Sequence, residues 1–76
     1  MIKRSLSIHG HRTSLALEAE FWTIIDEAVA QSGKSFARFI RDLDDIRTSR
    51  NIEQNLASYL RVWVLKQAQA CAPKTE

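Results

Sequence analysis

Residues 11–18, HRTSLALE, constrain the fold more than any other part of the chain. Leu15 and Leu17 sit at alternate positions and then give way at once to a segment with helical spacing. Alternation at period two marks a β-strand with one buried face. A strand cannot satisfy its own backbone hydrogen bonds, and nothing later in the 76 residues reads as a second one. Two pairings remain open. Leu6 to His9 can fold back on Thr13 to Leu17 around Gly10, or the strand can pair antiparallel with its own copy in a second chain about a two-fold axis. Leu6 and Ile8 alternate in the opposite phase from Leu15 and Leu17, so a bend or bulge at Gly10 is expected either way.

Three helical patterns follow. The first runs from about Ala19 to Gln31, with Phe21, Ile24, Ile25 and Ala28 on one face, Trp22 and Val29 widening it, and Gly33 as the natural stop. Glu18 and Glu20 stand in the first turn, where the helix dipole favours negative charge. Ser35 caps a second helix whose Phe36, Phe39, Ile40 and Leu43 recur at spacings of three, four and seven, with Ile46 one turn further. After the polar break at 48–51, Asn51 with Gln54 has capping-box spacing, opening a third helix to about Gln69. Leu56, Tyr59, Leu60, Trp63 and Val64 form its main face. Val62 and Leu65 point elsewhere, so the VWVL segment calls for burial on more than one side, and a second subunit is the expected cover.

A chain of this size makes one domain, 1–76, and buries only about 60% of its unfolded surface. Its organisation is read as a basic arm at 1–10, a strand-helix-helix core at 11–47, a third helix at 51–69 and a frayed tail at 70–76 containing Pro73. The single cysteine, Cys71, excludes an intrachain disulfide and fits a reducing compartment. With 45% apolar and 26% charged residues the chain is too apolar to be disordered. No run approaches the roughly 18 apolar residues of a membrane span, and MIKRSLSIHG lacks the apolar core of a signal peptide, so a cytoplasmic protein with no membrane partner is expected. The net charge is +2 and the pI about 9.0, with Lys3, Arg4 and Arg12 crowded ahead of the first acid, Glu18. That asymmetry is compatible with an anionic partner.

The order of elements carries a resemblance. HRTSLALEAEFWTIIDEAVAQSGKSFARFIRDLD resembles a ribbon-helix-helix domain: an alternating strand, an amphipathic helix, a G-x-S turn and a second helix capped by that serine. The chain is similar to a small bacterial subgroup in which G-H-R-T-S (10–14) precedes L-E-x-E-F-W (17–22) and a C-terminal R-V-x-V-L helix (61–65) follows, a likeness covering roughly residues 5–68. The resemblance implies a mainly α fold with one short β-strand. It implies an intertwined homodimer, with a two-stranded antiparallel ribbon between subunits, plus the third C-terminal helix. Such a ribbon lies in the DNA major groove. With Leu15 and Leu17 turned inward, Arg12, Ser14 and Ala16 face out as the base-contacting set: Arg12 offers paired donors to guanine, Ser14 a donor or acceptor, Ala16 only apolar contact. Phosphates are expected at Lys34, Ser35 and the free N–H groups of Phe36 and Ala37, with Lys3 and Arg4 adding charge. Leu15, Leu17, Phe36, Phe39, Ile40, Leu43, Leu60, Trp63 and Val64 form the expected dimer core. The implied function is sequence-specific binding of double-stranded DNA by a homodimeric transcriptional regulator. The alternative is an interaction module, an antitoxin or adaptor, whose C-terminal helix holds a protein partner.

Other chemistries fare worse. His9 and His11 share a strand face, but zinc needs three or four protein ligands and no Cys/His cluster supplies the rest, so neither metal nor cofactor is expected. Asp42, Asp44 and Asp45 lack a histidine, a serine nucleophile or a glycine-rich loop at fitting spacing, so no catalytic residue is assigned.

Overall fold

The computed structural model describes residues 1–53 and 55–71, apart from the Cys71 side chain. Gln54, expected in the capping box, and residues 72–76, expected as the tail around Pro73, lie outside the described residues. The order is β1 (Ile2–Ile8), β2 (His11–Leu17), α1 (Ala19–Ser32), α2 (Phe36–Ser49) and α3 (Leu56–Cys71). The mainly helical architecture, with antiparallel ribbon pairing ahead of the helices and a third C-terminal helix, is as expected.

The ribbon closes within one chain, which corrects the expectation of a single strand paired across subunits. β1, read from sequence as a basic arm, pairs antiparallel with β2 from Ile8 opposite His11 to Ile2 opposite Leu17. Only His9 and Gly10 lie between the strands, and both have positive φ, 52° and 79°. This is the requirement of a two-residue primed turn, whose twist matches the strands it joins. No bulge is needed. A two-residue turn pairs even positions of β1 with odd positions of β2, so the opposite phases of Leu6/Ile8 and Leu15/Leu17 bring all four to one face, where all are buried.

The helices cover that face. Buried Trp22 and Ile25 of α1, Ile40 and Leu43 of α2, and Leu60 and Val64 of α3 complete one core with the four strand residues. Phe36, Phe39 and Trp63 pack against it, Trp22 with Phe36 at 5.8 Å between ring centroids and Phe39 edge-on to Trp63 at 5.4 Å. The residues expected to form a dimer core therefore form the core of a single chain. Trp22 also ties the ribbon to α1 by donating its indole N–H to the Ile2 carbonyl at 2.8 Å.

The helix ends follow local chemistry. Gly33, at φ 74°, ends α1, and Ser35 Oγ accepts the Arg38 N–H at 3.2 Å to cap α2. Asn51 is not the N-cap of α3. Its φ of 53° makes it the left-handed residue past the end of α2, with Asn51 N–H donating to the Thr48 carbonyl and Ile52 N–H to that of Arg47. These two bonds are the Schellman pattern, and asparagine tolerates the conformation. The α3 cap is Asn55, whose Oδ1 accepts the Ser58 N–H at 2.8 Å. Helix α2 thus extends past residue 47 and α3 begins later than residue 51. Among the described residues, no helix is long and apolar enough to cross a membrane.

Candidate functional site

Strand alternation divides the hairpin into two faces. The inner face carries Ile2, Arg4, Leu6 and Ile8 beside His11, Thr13, Leu15 and Leu17. The outer face carries three cross-strand pairs: Lys3 with Ala16, Ser5 with Ser14, and Ser7 with Arg12. Arg12, Ser14 and Ala16 thus share one outer face, with Ala16 half-buried. That face is wider than the sequence reading made it, since Lys3, Ser5 and Ser7 are exposed on the same side. The signal was present in the alternation of Ile2, Leu6 and Ile8, which fixes the odd-numbered residues of β1 outward once the turn is two residues long. Ser5 Oγ and Ser14 Oγ lie 3.2 Å apart and bridge the strands. No carboxylate lies on this face, and among the described residues neither Lys3 nor Arg12 forms an ion pair.

Arg4 has the opposite environment. Its guanidinium lies 4.5 Å from the Trp22 ring centroid and 5.5 Å from that of Phe36, and donates twice to Asp26, at 2.8 and 3.0 Å. The hydrogen bond to Asp26 raises the Arg4 pKa, and the same bond lowers that of the Asp26 carboxyl. Arg4 was expected among the phosphate contacts; it is instead held on the inner face, clamping β1 to α1 and α2. Arg61 pairs with Glu18 at 3.1 Å, and the Glu18 carboxyl is lowered first by its own backbone N–H and then by Arg61.

The start of α2 forms a second cationic region. Lys34 Nζ donates to Asp42 at 2.6 Å, and that bond holds the Asp42 carboxyl below its ordinary value. Ser35 is engaged as a cap. Phe36 turns its ring toward Trp22, and Ala37 is half-buried in the first turn. The backbone N–H groups of Phe36 and Ala37 belong to the first turn of α2, where no carbonyl of the preceding turn is available to them.

Of the three carboxylates at 42–45, Asp42 stands apart, while Asp44 and Asp45 both lie near the hairpin tip. Asp42 faces Lys34, Asp44 is held by Arg47 at 2.7 Å, and Asp45 lies 2.6 Å from His9 Nε2. The contact between the hairpin tip and α2 was not visible in the sequence, because it joins residues 36 positions apart.

Comparison with known proteins gives two findings. A family model described as a ribbon-helix-helix domain matches residues 1–68. The solved structure of an uncharacterized protein from Bordetella pertussis Tohama I is similar, with 34% identity and a TM-score of 0.75 over 95% of this chain. The match spans 62% of that longer chain. No curated protein matches.

Proposed function

The chain belongs to the ribbon-helix-helix family, and from that premise we propose that it is a sequence-specific DNA-binding protein that places the outer face of its hairpin in the major groove. The observation that carries this reading is the grouping of Lys3 and Arg12, which form no ion pair among the described residues, with three serines on a face free of carboxylates. A major groove about 12 Å wide admits a two-stranded ribbon. Arg12 is the residue for guanine O6 and N7, Ser5, Ser7 and Ser14 donate or accept at base edges, and Ala16 offers apolar contact. Lys34, Ser35 and the N–H groups of Phe36 and Ala37 take a phosphate, Lys34 exchanging Asp42 for it, and Lys3 adds a further backbone contact. Arg4 is left out of this set because Asp26 and two aromatic rings hold it.

The regulator acts as a homodimer in this reading, two copies presenting two ribbons to a palindromic or tandem site. Each strand of a two-stranded sheet keeps one open edge at which a second copy can add. Analytical ultracentrifugation checks the dimer, and a monomer in solution that binds an isolated half-site as tightly as the full site would remove it. The DNA reading is tested by fluorescence anisotropy with genomic duplexes across a salt series. Submicromolar binding at low salt is expected, with the slope of log affinity against log salt changing by about 0.9 for each phosphate contact removed. Binding no tighter than micromolar at low salt, or unchanged in Arg12→Ala, would refute it.

A second reading is supported by Leu65, 55% exposed on α3, and by the open groove between α1 and α3 lined by Ile24, Glu27, Ala28, Gln31, Gln67 and Ala68. In that reading α3 holds a protein partner, as an antitoxin or adaptor does. Loss of a co-purifying partner in Leu65→Lys, with DNA affinity intact, would favour it.

A further inference from the structure

The hairpin tip meets α2 through three side chains that share ligand chemistry. His9 Nε2, a carboxylate oxygen of Asp44 and one of Asp45 all lie within 4.8 Å of one another. They come from two elements far apart in sequence, so no local helical pattern places them together. His9 occupies the first turn position at φ 52°, a conformation that costs a residue with a Cβ, and its ring is directed onto Asp45 at 2.6 Å. Arg47 reaches Asp44 at Oδ1, with contacts of 2.7 and 3.1 Å, and Oδ2 is the other donor oxygen of that carboxylate. His9, Asp44 and His11 line one surface cavity with Arg12 and Arg47.

We propose that His9, Asp44 and Asp45 form a divalent metal site of the zinc class. Three protein ligands drawn from imidazole and carboxylate suit zinc with an open position, water completing the tetrahedron. Bonds of 2.0–2.2 Å place tetrahedral donors roughly 3.3–3.5 Å apart, so the His9 to Asp45 contact opens by less than about 1 Å when the ion enters. The side chains of His9 and Asp45 are 54% and 51% exposed, which gives them the freedom for that adjustment. Arg47 offsets part of the carboxylate charge and keeps the affinity in the micromolar range instead of the far tighter range of four-ligand structural sites. The ion would join the ribbon tip to α2 and fix the ribbon's angle on the helices. The site is independent of the DNA-binding reading, because it is assayed without nucleic acid.

The test is titration of Zn2+ into the metal-free full chain by calorimetry, in a Cys71→Ser background that removes the thiol. Two variants accompany it. His9→Asn keeps a residue that accepts positive φ in a primed turn, so the hairpin is retained. Asp45→Asn keeps the shape and removes the charge. The expected result is one Zn2+ per chain at micromolar Kd, a rise in Tm with saturating zinc, and at least tenfold weaker binding in each variant. Absence of binding at 100 μM Zn2+, roughly a hundredfold above the micromolar Kd expected, would overturn the proposal. So would binding that survives both variants, which would assign the zinc to His11 or to scattered carboxylates.

Discussion

Lys3 and Arg4 are adjacent, both cationic, and lie on opposite faces of the same strand. Arg4 is covered by Trp22 and Phe36 and doubly bonded to Asp26, whereas Lys3 is exposed beside Ala16 with no carboxylate on its face. Arg12, across from Ser7, shares the outer face with Lys3. The difference shows that strand parity, not charge, decides whether a basic residue here is held against the helices or left exposed. The inner face holds the helices in place; the outer face is exposed, and it is the face proposed to meet DNA.

Breaking the inner face carries the largest effect. Leu17 is fully buried, and Leu17→Ala is expected to cost about 2–5 kcal/mol, read as a lower urea midpoint. In a domain this small that loss takes a large share of the total stability. Breaking the outer face leaves the fold intact: Arg12→Ala is expected to weaken DNA binding by about 1–3 kcal/mol while the urea midpoint moves by less than the equivalent of about 0.5 kcal/mol. A large change in the midpoint would mean that the two faces are not separable. The turn that sets their parity is probed by Gly10→Ala. No atom crowds a Cβ there, so the cost is the backbone conformation alone, about 1–2 kcal/mol.

The smallest effect sharpens the contrast between the two cations. Arg4 lowers the Asp26 carboxyl below its ordinary 3.8, so folding binds fewer protons at that group. The stability it contributes is present above about pH 3.8 and is lost as the pH falls through the lowered folded value. Asp26→Asn is therefore expected to be less stable than the parent at pH 7, by no more than about 1 kcal/mol for a half-exposed pair. The gap should narrow as the pH falls below 3.8. Chemical denaturation at pH 7, 5 and 3 measures it, and a gap independent of pH would mean that the ion pair is not its source.

The helices were legible because burial at three- and four-residue spacing is local: Phe21 to Val29, Phe36 to Leu43 and Leu56 to Val64 fall where the apolar pattern placed them. β1 was harder to read, since Ile2, Leu6 and Ile8 are interrupted at the fourth position by Arg4, an inward cation that alternation alone classifies as solvated. Its neutralisation depends on Asp26, 22 residues away. Asn51 fitted the cap pattern for a related reason, since asparagine serves both at the start of a helix, as Asn55 does here, and in the left-handed turn past the end of one. The outer face was half legible: β2 supplied Arg12, Ser14 and Ala16, while Lys3, Ser5 and Ser7 required the register. The contact of His9 with Asp45, and the approach of Asp44 to both, was not legible at all, because it exists only after α2 packs beneath the hairpin tip.

The central claim is that the outer face of the hairpin, and not α3, meets DNA. It is tested most directly by NMR titration of the labelled protein with a duplex selected from genomic fragments. The expected result is intermolecular contacts from Ser5, Ser7, Arg12 and Ser14, with the Arg4 guanidinium and Leu65 resonances unmoved. Contacts arising from α3 while the hairpin resonances stay unchanged would contradict it.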